Sequence, residues 1–217
     1  APAYSSFTTN PFGLSNIGAV SSPKFIDIDD DGDMDVFVGT NEGSIVFFEN
    51  TGTGSAPSYA ASVSDPFGLT DIGSETTIDF ADIDADGDLD AFIGNVDGRV
   101  RFYENTGDAE SPVFASPVID PFGLGDIGSY ASVTFSDSDG DGDLDLVVNR
   151  FKQPIALYRN HTSGERAQVK LHGRHSNAQG LGATVIAKTA DTTQTRTLTL
   201  SRGALSTNEA VIQLGLG

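Results

Sequence analysis

The sequence predicts an all-β protein built of three β-propeller blades, four-stranded repeats of 55 residues, followed by a C-terminal β segment. Three observations carry that reading. Pro11-Phe12-Gly13-Leu14 returns as Pro66-Phe67-Gly68-Leu69 and again as Pro121-Phe122-Gly123-Leu124, a step of 55 residues each time. Apolar and polar residues alternate with period two inside each unit, and no three-to-four-residue apolar spacing accompanies them. Turn formers are abundant, with 25 glycines and 9 prolines in 217 residues. Four short antiparallel strands per repeat of about 50 residues is the pattern of a propeller blade.

The same step relates Asp27 to Asp82 and Asp137, and Glu49-Asn50-Thr51-Gly52 to Glu104-Asn105-Thr106-Gly107. It also relates Ala1-Pro2-Ala3-Tyr4 to Ala56-Pro57-Ser58-Tyr59, with Pro112 and Phe114 holding the place in the third copy. The units run 1–55, 56–110 and 111–165, so that 1–165 is the repeat region. In the second unit, a strand over Thr77–Phe80 leads into an Asp-rich loop and Leu89–Gly94 leads out of it. Asn95-Val96-Asp97-Gly98 has the chemistry of a turn, and Arg99–Glu104 alternates as a half-buried strand should. A fourth short strand falls around Pro112–Val118. The Pro-Phe-Gly-Leu motif reads as structural: Phe packs between units while Pro and Gly make turns. Phe47-Phe48 and Phe102-Tyr103 read as blade packing. The third copy has drifted, with Gln153 in place of the turn glycines Gly43 and Gly98 and Arg159 in place of Glu104. A terminal or interfacial unit tolerates such drift. Residues 166–217 lack the repeat motifs but offer strands at Ala167–Leu171, Ala183–Lys188, Thr195–Leu200 and Ala210–Leu214, rich in Val, Ile and Thr. This segment is slightly basic, which sets a boundary near Glu165.

Acids outnumber bases 31 to 12, for a net charge of −19. Such a chain repels phosphate backbones and anionic membrane surfaces, so nucleic acid is not an expected partner. Cysteine is absent, which removes disulfides, thiolate catalysis and cysteine-ligated zinc. No apolar run approaches the ~20 residues of a membrane span. The start at Ala1, with neither Met nor a signal-like stretch, is what a processed or shortened form shows. A nucleophile elbow, a metalloprotease helix motif and a phosphate loop are all missing, so an enzyme is not expected. His172 and His175 read as surface or turn residues. Asn160-His161-Thr162 fits a glycosylation acceptor, but it aligns with Asn50 and Asn105 and reads as structural.

The chemistry lies in the aspartate loops. Each unit holds Asp-x-Asp-x-Asp-Gly-Asp-x-Asp: Asp27, Asp29, Asp31, Asp33 and Asp35; Asp82, Asp84, Asp86, Asp88 and Asp90; Asp137, Asp139, Asp141, Asp143 and Asp145. About half of all the acids sit in these three loops, and elsewhere acids and bases nearly balance. Five carboxylates in one turn repel strongly, and a bound multivalent cation makes the arrangement favourable. Oxygen donors at positions 1, 3 and 5, a glycine at 6 and a backbone carbonyl at 7 are how an EF-hand calcium loop is built. The loop is nevertheless not an EF-hand. Val38, Ile93 and Val148 stand at the twelfth position, where a bidentate Glu belongs, and strands flank it. The ninth-position residues Asp35, Asp90 and Asp145 are placed to close the coordination sphere. Three Ca2+ sites, one per repeat, follow, with side-chain oxygens from positions 1, 3, 5 and 9 and main-chain oxygen from Asp33, Asp88 and Asp143.

These residues resemble FG-GAP/VCBS repeats, the blades of integrin-type propellers, over Phe25–Asp35, Phe80–Asp90 and Phe135–Asp145. The tail resembles the ASPIC/UnbV segment that follows such repeats in the cartilage acidic protein family. Its matching residues are Ser176-Asn177, Gly182-Ala183-Thr184-Val185, Gln194-Thr195-Arg196, Gly203, Ser206 and Gly215-Leu216-Gly217. The resemblance implies a calcium-binding adhesion or protein–protein interaction module, secreted or periplasmic, with no catalytic residues. It departs in two ways: family members continue into a Trp-Pro-x-Gly element, and their propellers have seven blades. Propellers close with about four to eight blades, so three units leave a face open. A homo-oligomer in which two chains complete one propeller is the expectation. A carbohydrate-binding, lectin-like propeller is the alternative function, with protein or glycan as ligand.

Overall fold

A computed structural model describes residues 8–18, 21–84, 86–139, 141, 143–161, 166–170, 184–188, 193–197 and 211–215. Strands β1 Ser22–Ile26, β2 Asp35–Gly39, β3 Ile45–Phe48 and β4 Val63–Ser64 form the first antiparallel sheet, in sequential order. Strands β5 Thr77–Ala81, β6 Asp90–Gly94, β7 Val100–Tyr103 and β8 Val118–Ile119 repeat it 55 residues on. The third sheet is β9 Ser132–Ser136, β10 Asp145–Asn149 and β11 Ala156–Tyr158, three-stranded among the described residues. The position of its outer strand, Gly173-Arg174 by the repeat step, lies outside them.

The registers repeat as well: Ile26 pairs with Asp35, Ala81 with Asp90 and Ser136 with Asp145, so each aspartate loop is the connection of an inner hairpin. The fourth strand is shorter and later than expected. In the second sheet it is Val118–Ile119, beyond residue 110 and so within the third sequence unit, while Phe114 bridges back to Asn105. Each outer strand thus follows the Glu-Asn-Thr-Gly loop and immediately precedes the next Pro-Phe-Gly turn.

Period-two alternation fixes the stacking. On β2, Phe37 points into the layer shared with the second sheet and Val36 and Val38 point the other way. Phe37, Ile45 and Phe47 meet Ile78, Phe80, Ala91 and Ile93 between sheets one and two. Phe92 and Val100 meet Val133, Phe135, Leu146 and Val148 between sheets two and three. Ring pairs tie the layers together, Phe37–Phe80 at 4.8 Å and Phe92–Phe135 at 4.7 Å between centroids. The buried Lys24–Asp79 ion pair also joins the first two units, a contact that sequence spacing did not suggest.

The second and third Pro-Phe-Gly-Leu motifs are turns that dock on the preceding sheet, whereas Phe12 of the first, expected to pack between units, is exposed. Phe67 packs edge-on against Phe47 at 5.1 Å, and Phe122 lies 5.3 Å from Phe102. Leu69 N–H closes the turn on Pro66 O at 2.9 Å, with φ of 56° at Phe67 and 96° at Gly68. Two successive positive φ values are the backbone of a type I′ turn, for which glycine is the natural second residue. Phe67 O then accepts the Phe114 N–H at 2.8 Å, and a Cβ on Gly68 would sit 2.7 Å from Phe114 O. Gly68→Ala is therefore expected to cost about 2 kcal/mol from strain and displaced backbone. Thermal unfolding should register a drop of about 5 °C; an unchanged melt would contradict this account of the turn.

Between sheets two and three a cavity of about 850 Å³ opens, lined by Phe92, Phe102, Phe122, Phe135, Leu144 and Leu146. Between sheets one and two the buried Phe114 completes the core. Its counterpart by the repeat step is Val169 in β12 Arg166–Lys170, which pairs with β15 Val211–Gly215 instead. In the tail, β13 Thr184–Lys188 pairs with β14 Thr193–Thr197, so the four described strands fall close to the four expected segments. His172 and His175 lie outside the described residues.

Candidate metal centres

Each aspartate loop leaves one hairpin strand and must reverse within a few residues. Gly32 takes φ of 92° and Gly87 φ of 101°, a conformation that carboxylate side chains at those places would resist. The reversal folds the first, third and fifth aspartates toward one point. Asp27, Asp29 and Asp31 bring one carboxylate oxygen each to within 4.8 Å of one another, as do Asp82, Asp84 and Asp86, and Asp137, Asp139 and Asp141. These triads can each hold a metal ion.

The seventh and ninth aspartates stand outside the triads and shape the loop. Asp33, Asp88 and Asp143 donate their backbone N–H to the fifth-position carboxylate at 2.9, 3.1 and 3.0 Å. The ninth-position carboxylates accept the N–H of Asn50, Asn105 and Asn160 at 2.7, 2.8 and 2.9 Å. The Asn side chain then accepts from its own loop: Asn50 Oδ1 from Gly52 and Ser58, Asn105 Oδ1 from Gly107 and Val113. One carboxylate thus locks the aspartate loop to the Glu-Asn-Thr-Gly loop. Sequence reasoning had missed this role of Asn50, Asn105 and Asn160, although their 55-residue step signalled it.

The first loop gives the sharpest test of whether a cation fits. Asp27 Oδ1, Asp29 Oδ1, Asp33 Oδ1 and Asp35 Oδ2 are all buried with no hydrogen-bond partner. Buried carboxylate oxygens are normally satisfied, and four orphans in one turn are costly unless a cation is placed among them. All are hard oxygen donors, the set that calcium takes. Burial, and then the charges of Asp30, Asp31 and Asp29, pushes Asp27 up to about 7. Burial lifts Asp35 to about 7 against the Asn50 amide, and Asp90 to about 8 against the Asn105 amide. Asp29, Asp33 and Asp86 are raised too, by burial first. Burial and mutual repulsion thus oppose the simultaneous ionisation of Asp27, Asp35 and Asp90, which a cation would relieve.

The third loop differs. Ser138 stands where Ile28 and Ile83 stand in the other units, and its N–H donates to Asp145 Oδ2 at 3.0 Å while its hydroxyl donates to the same oxygen. Burial pushes Asp145 up, but the Ser138 and Asn160 hydrogen bonds outweigh it, and the carboxyl lies below its ordinary value. Arg159, in place of Glu49 and Glu104, sits 3.4 Å from Asp139 Oδ2. Part of the positive charge the third loop needs is therefore already supplied by the protein.

Comparison with known proteins identifies the repeats and the tail. The pattern of the FG-GAP-like repeat matches residues 27–93 and 82–148, from one aspartate loop to the strand beyond the next. The pattern described as ASPIC and UnbV matches residues 173–217. The matches reach these two modules and not one particular family that combines them. No curated protein matches the chain. Among solved structures, the Photorhabdus luminescens Tc holotoxin pore is similar at 15% identity over 68% of this chain, with a TM-score of 0.47. The chain spans 7% of the length of that protein's chain. Among the described residues no helix is long and apolar enough to cross a membrane.

Proposed function

We propose, from the premise that this chain belongs to the FG-GAP-like repeat family, that it is a non-catalytic interaction or adhesion module, stabilised by calcium and working outside the cytoplasm. The repeat family supports the interaction role, and the UnbV-type tail accompanies it. The single observation behind calcium is the set of four buried, unpartnered carboxylate oxygens in the first loop. Asp27, Asp29, Asp31 and Asp35 would hold the ion there, and Asp82, Asp84, Asp86 and Asp90 in the second loop. Calcium supplies the charge that lets these side chains ionise together. Metal then stabilises the hairpin that carries it, which couples binding to folding. Calcium is plentiful outside cells, where sites with Kd on the order of 0.1–1 mM fill.

The third site, around Asp137, Asp139 and Asp141, is the weakest of the three because Arg159 competes for Asp139 and Ser138 engages the adjoining Asp145. Calorimetric titration of calcium into metal-free protein is expected to resolve two tighter sites and one weaker. Asp84→Ala should remove one of the tighter pair, and Arg159→Glu should strengthen the weak one. Absence of any saturable calcium heat would refute the calcium reading. Equal affinities unaffected by Arg159→Glu would refute the ranking.

A further inference from the structure

The backbone contacts that join consecutive units are the same at both junctions. Thr76 N–H donates to Thr40 O at 3.1 Å, and Ala131 N–H to Asn95 O at 3.1 Å. Ile72 N–H donates to Gly43 O, and Ile127 N–H to Gly98 O. This approach is so close that side chains are excluded. A Cβ on Gly39 would lie 2.1 Å from Thr76 O, and one on Gly94 would lie 2.3 Å from Ala131 O. On Gly43 and Gly98 it would lie 2.6 and 2.3 Å from the carbonyls of Gly73 and Gly128. Backbone atoms cannot yield by that much without breaking the junction.

In the third unit these two glycine positions are Asn149 and Gln153. Another unit stacked there in the same way would drive its carbonyls into both Cβ atoms. The opposite face of the array, on the first unit, keeps the turn residues the junction uses, with Pro23 in place of the buried Ile78 and Val133. Asn16, Ile17, Gly18 and Ser21 stand where Asp71, Ile72, Gly73 and Thr76 stand in the second unit. Its Asn16–Gly18 turn is the one seen at the junctions: Asn16 Oδ1 accepts the Gly18 N–H at 3.0 Å, as Asp71 and Asp126 accept those of Gly73 and Gly128 at 2.8 and 2.9 Å. Its apolar anchor is uncovered. Phe25 is 50% exposed, whereas Phe80 and Phe135, the same residue in the covered units, are each 2% exposed.

We infer that the array docks in one direction only. The face of the first unit around Phe25 receives a further repeat unit, one that keeps glycine at the positions of Gly39 and Gly43. The third unit receives none. A second copy of this chain therefore does not supply that unit, and two copies do not close a ring head to tail. The inference does not depend on the calcium reading.

Sedimentation of the whole chain at constant calcium tests it, with a glycine-restored copy serving as the partner. Wild type is expected to keep one mass from micromolar to near-millimolar concentration. Asn149→Gly with Gln153→Gly is expected at least to double the wild-type mass, and adding Phe25→Asp should return it. Melting curves confirm that each variant is folded. Should the double variant not fold, replacing residues 149–154 by the sequence of 39–44 restores the whole turn and is read the same way. A folded glycine-restored protein at the wild-type mass overturns the docking face. A wild-type assembly dissolved by Phe25→Asp overturns the closed end.

Discussion

Removal of calcium by excess chelator is expected to lower the melting temperature by on the order of 10 °C. A site occupied at ten times its Kd adds about 1.4 kcal/mol to the folded state, since only that state assembles the triad. Two or three such sites give roughly 3–4 kcal/mol, and for a chain of this length each kcal/mol moves the midpoint by about 2–4 °C. The loss should exceed this mass-action figure if the loops splay once their carboxylates ionise unaccompanied. Asp35 and Asp90 make that outcome specific. Each fixes its loop to the backbone of Asn50 or Asn105, so loosening the aspartate loop also releases the adjoining Glu-Asn-Thr-Gly loop. Amide exchange at Asn50 and Asn105 should accelerate together with the aspartate loops on chelation. A melt and an exchange pattern indifferent to chelator would remove calcium from the structural account.

Much of this arrangement was legible in the sequence because its signals are local or strictly periodic. An Asp-x-Asp-x-Asp-Gly run fixes which carboxylates meet, since the donors lie within one reversal of the chain. The 55-residue step places every homologous strand once one is recognised. The outer strands were harder to place. Val63–Ser64 and Val118–Ile119 are two residues long and exposed, so neither periodicity nor hydrophobicity marks them against the Pro-rich loop before them. The Lys24–Asp79 pair was invisible for another reason: those two residues occupy the same repeat position in successive units, and only stacking brings them together. The drift at Gln153 was visible, but its meaning was not. Composition shows a lost turn glycine, whereas the junction geometry shows that Gly43 and Gly98 make room for the next unit's backbone. Ser138 is similar, a single change from Ile28 and Ile83 whose consequence depends on reaching Asp145 across the loop.

The metal-free protein is expected to be more stable near pH 5 than near pH 8, and calcium to reverse that order. Asp27 and Asp35 stand at about 7 and Asp90 at about 8 in the folded chain, all far above the ordinary 3.8. A carboxyl raised on folding binds its proton more tightly in the folded than in the unfolded state. Its contribution is therefore complete below about pH 4 and is lost as the pH climbs through 7 to 8. Each pKa unit corresponds to about 1.4 kcal/mol, so three such groups acting even at a fraction of that slope shift the midpoint by on the order of 10 °C. Calcium and protons compete for the same oxygens, so calcium affinity should rise over this window, with protons released on binding. Melting of dialysed protein across the range, with and without calcium, reads both halves. Repeating the calcium titration in buffers of different ionisation enthalpy counts the protons. The third loop supplies an internal control, because Asp145 is held below its ordinary value by Ser138 and Asn160 and does not titrate in this window. A protein carrying Asp27→Asn, Asp35→Asn and Asp90→Asn should lose most of the metal-free pH dependence. A metal-free melt that rises toward pH 8, or one unchanged by those substitutions, would show that the buried carboxyls are not what protons and calcium contest.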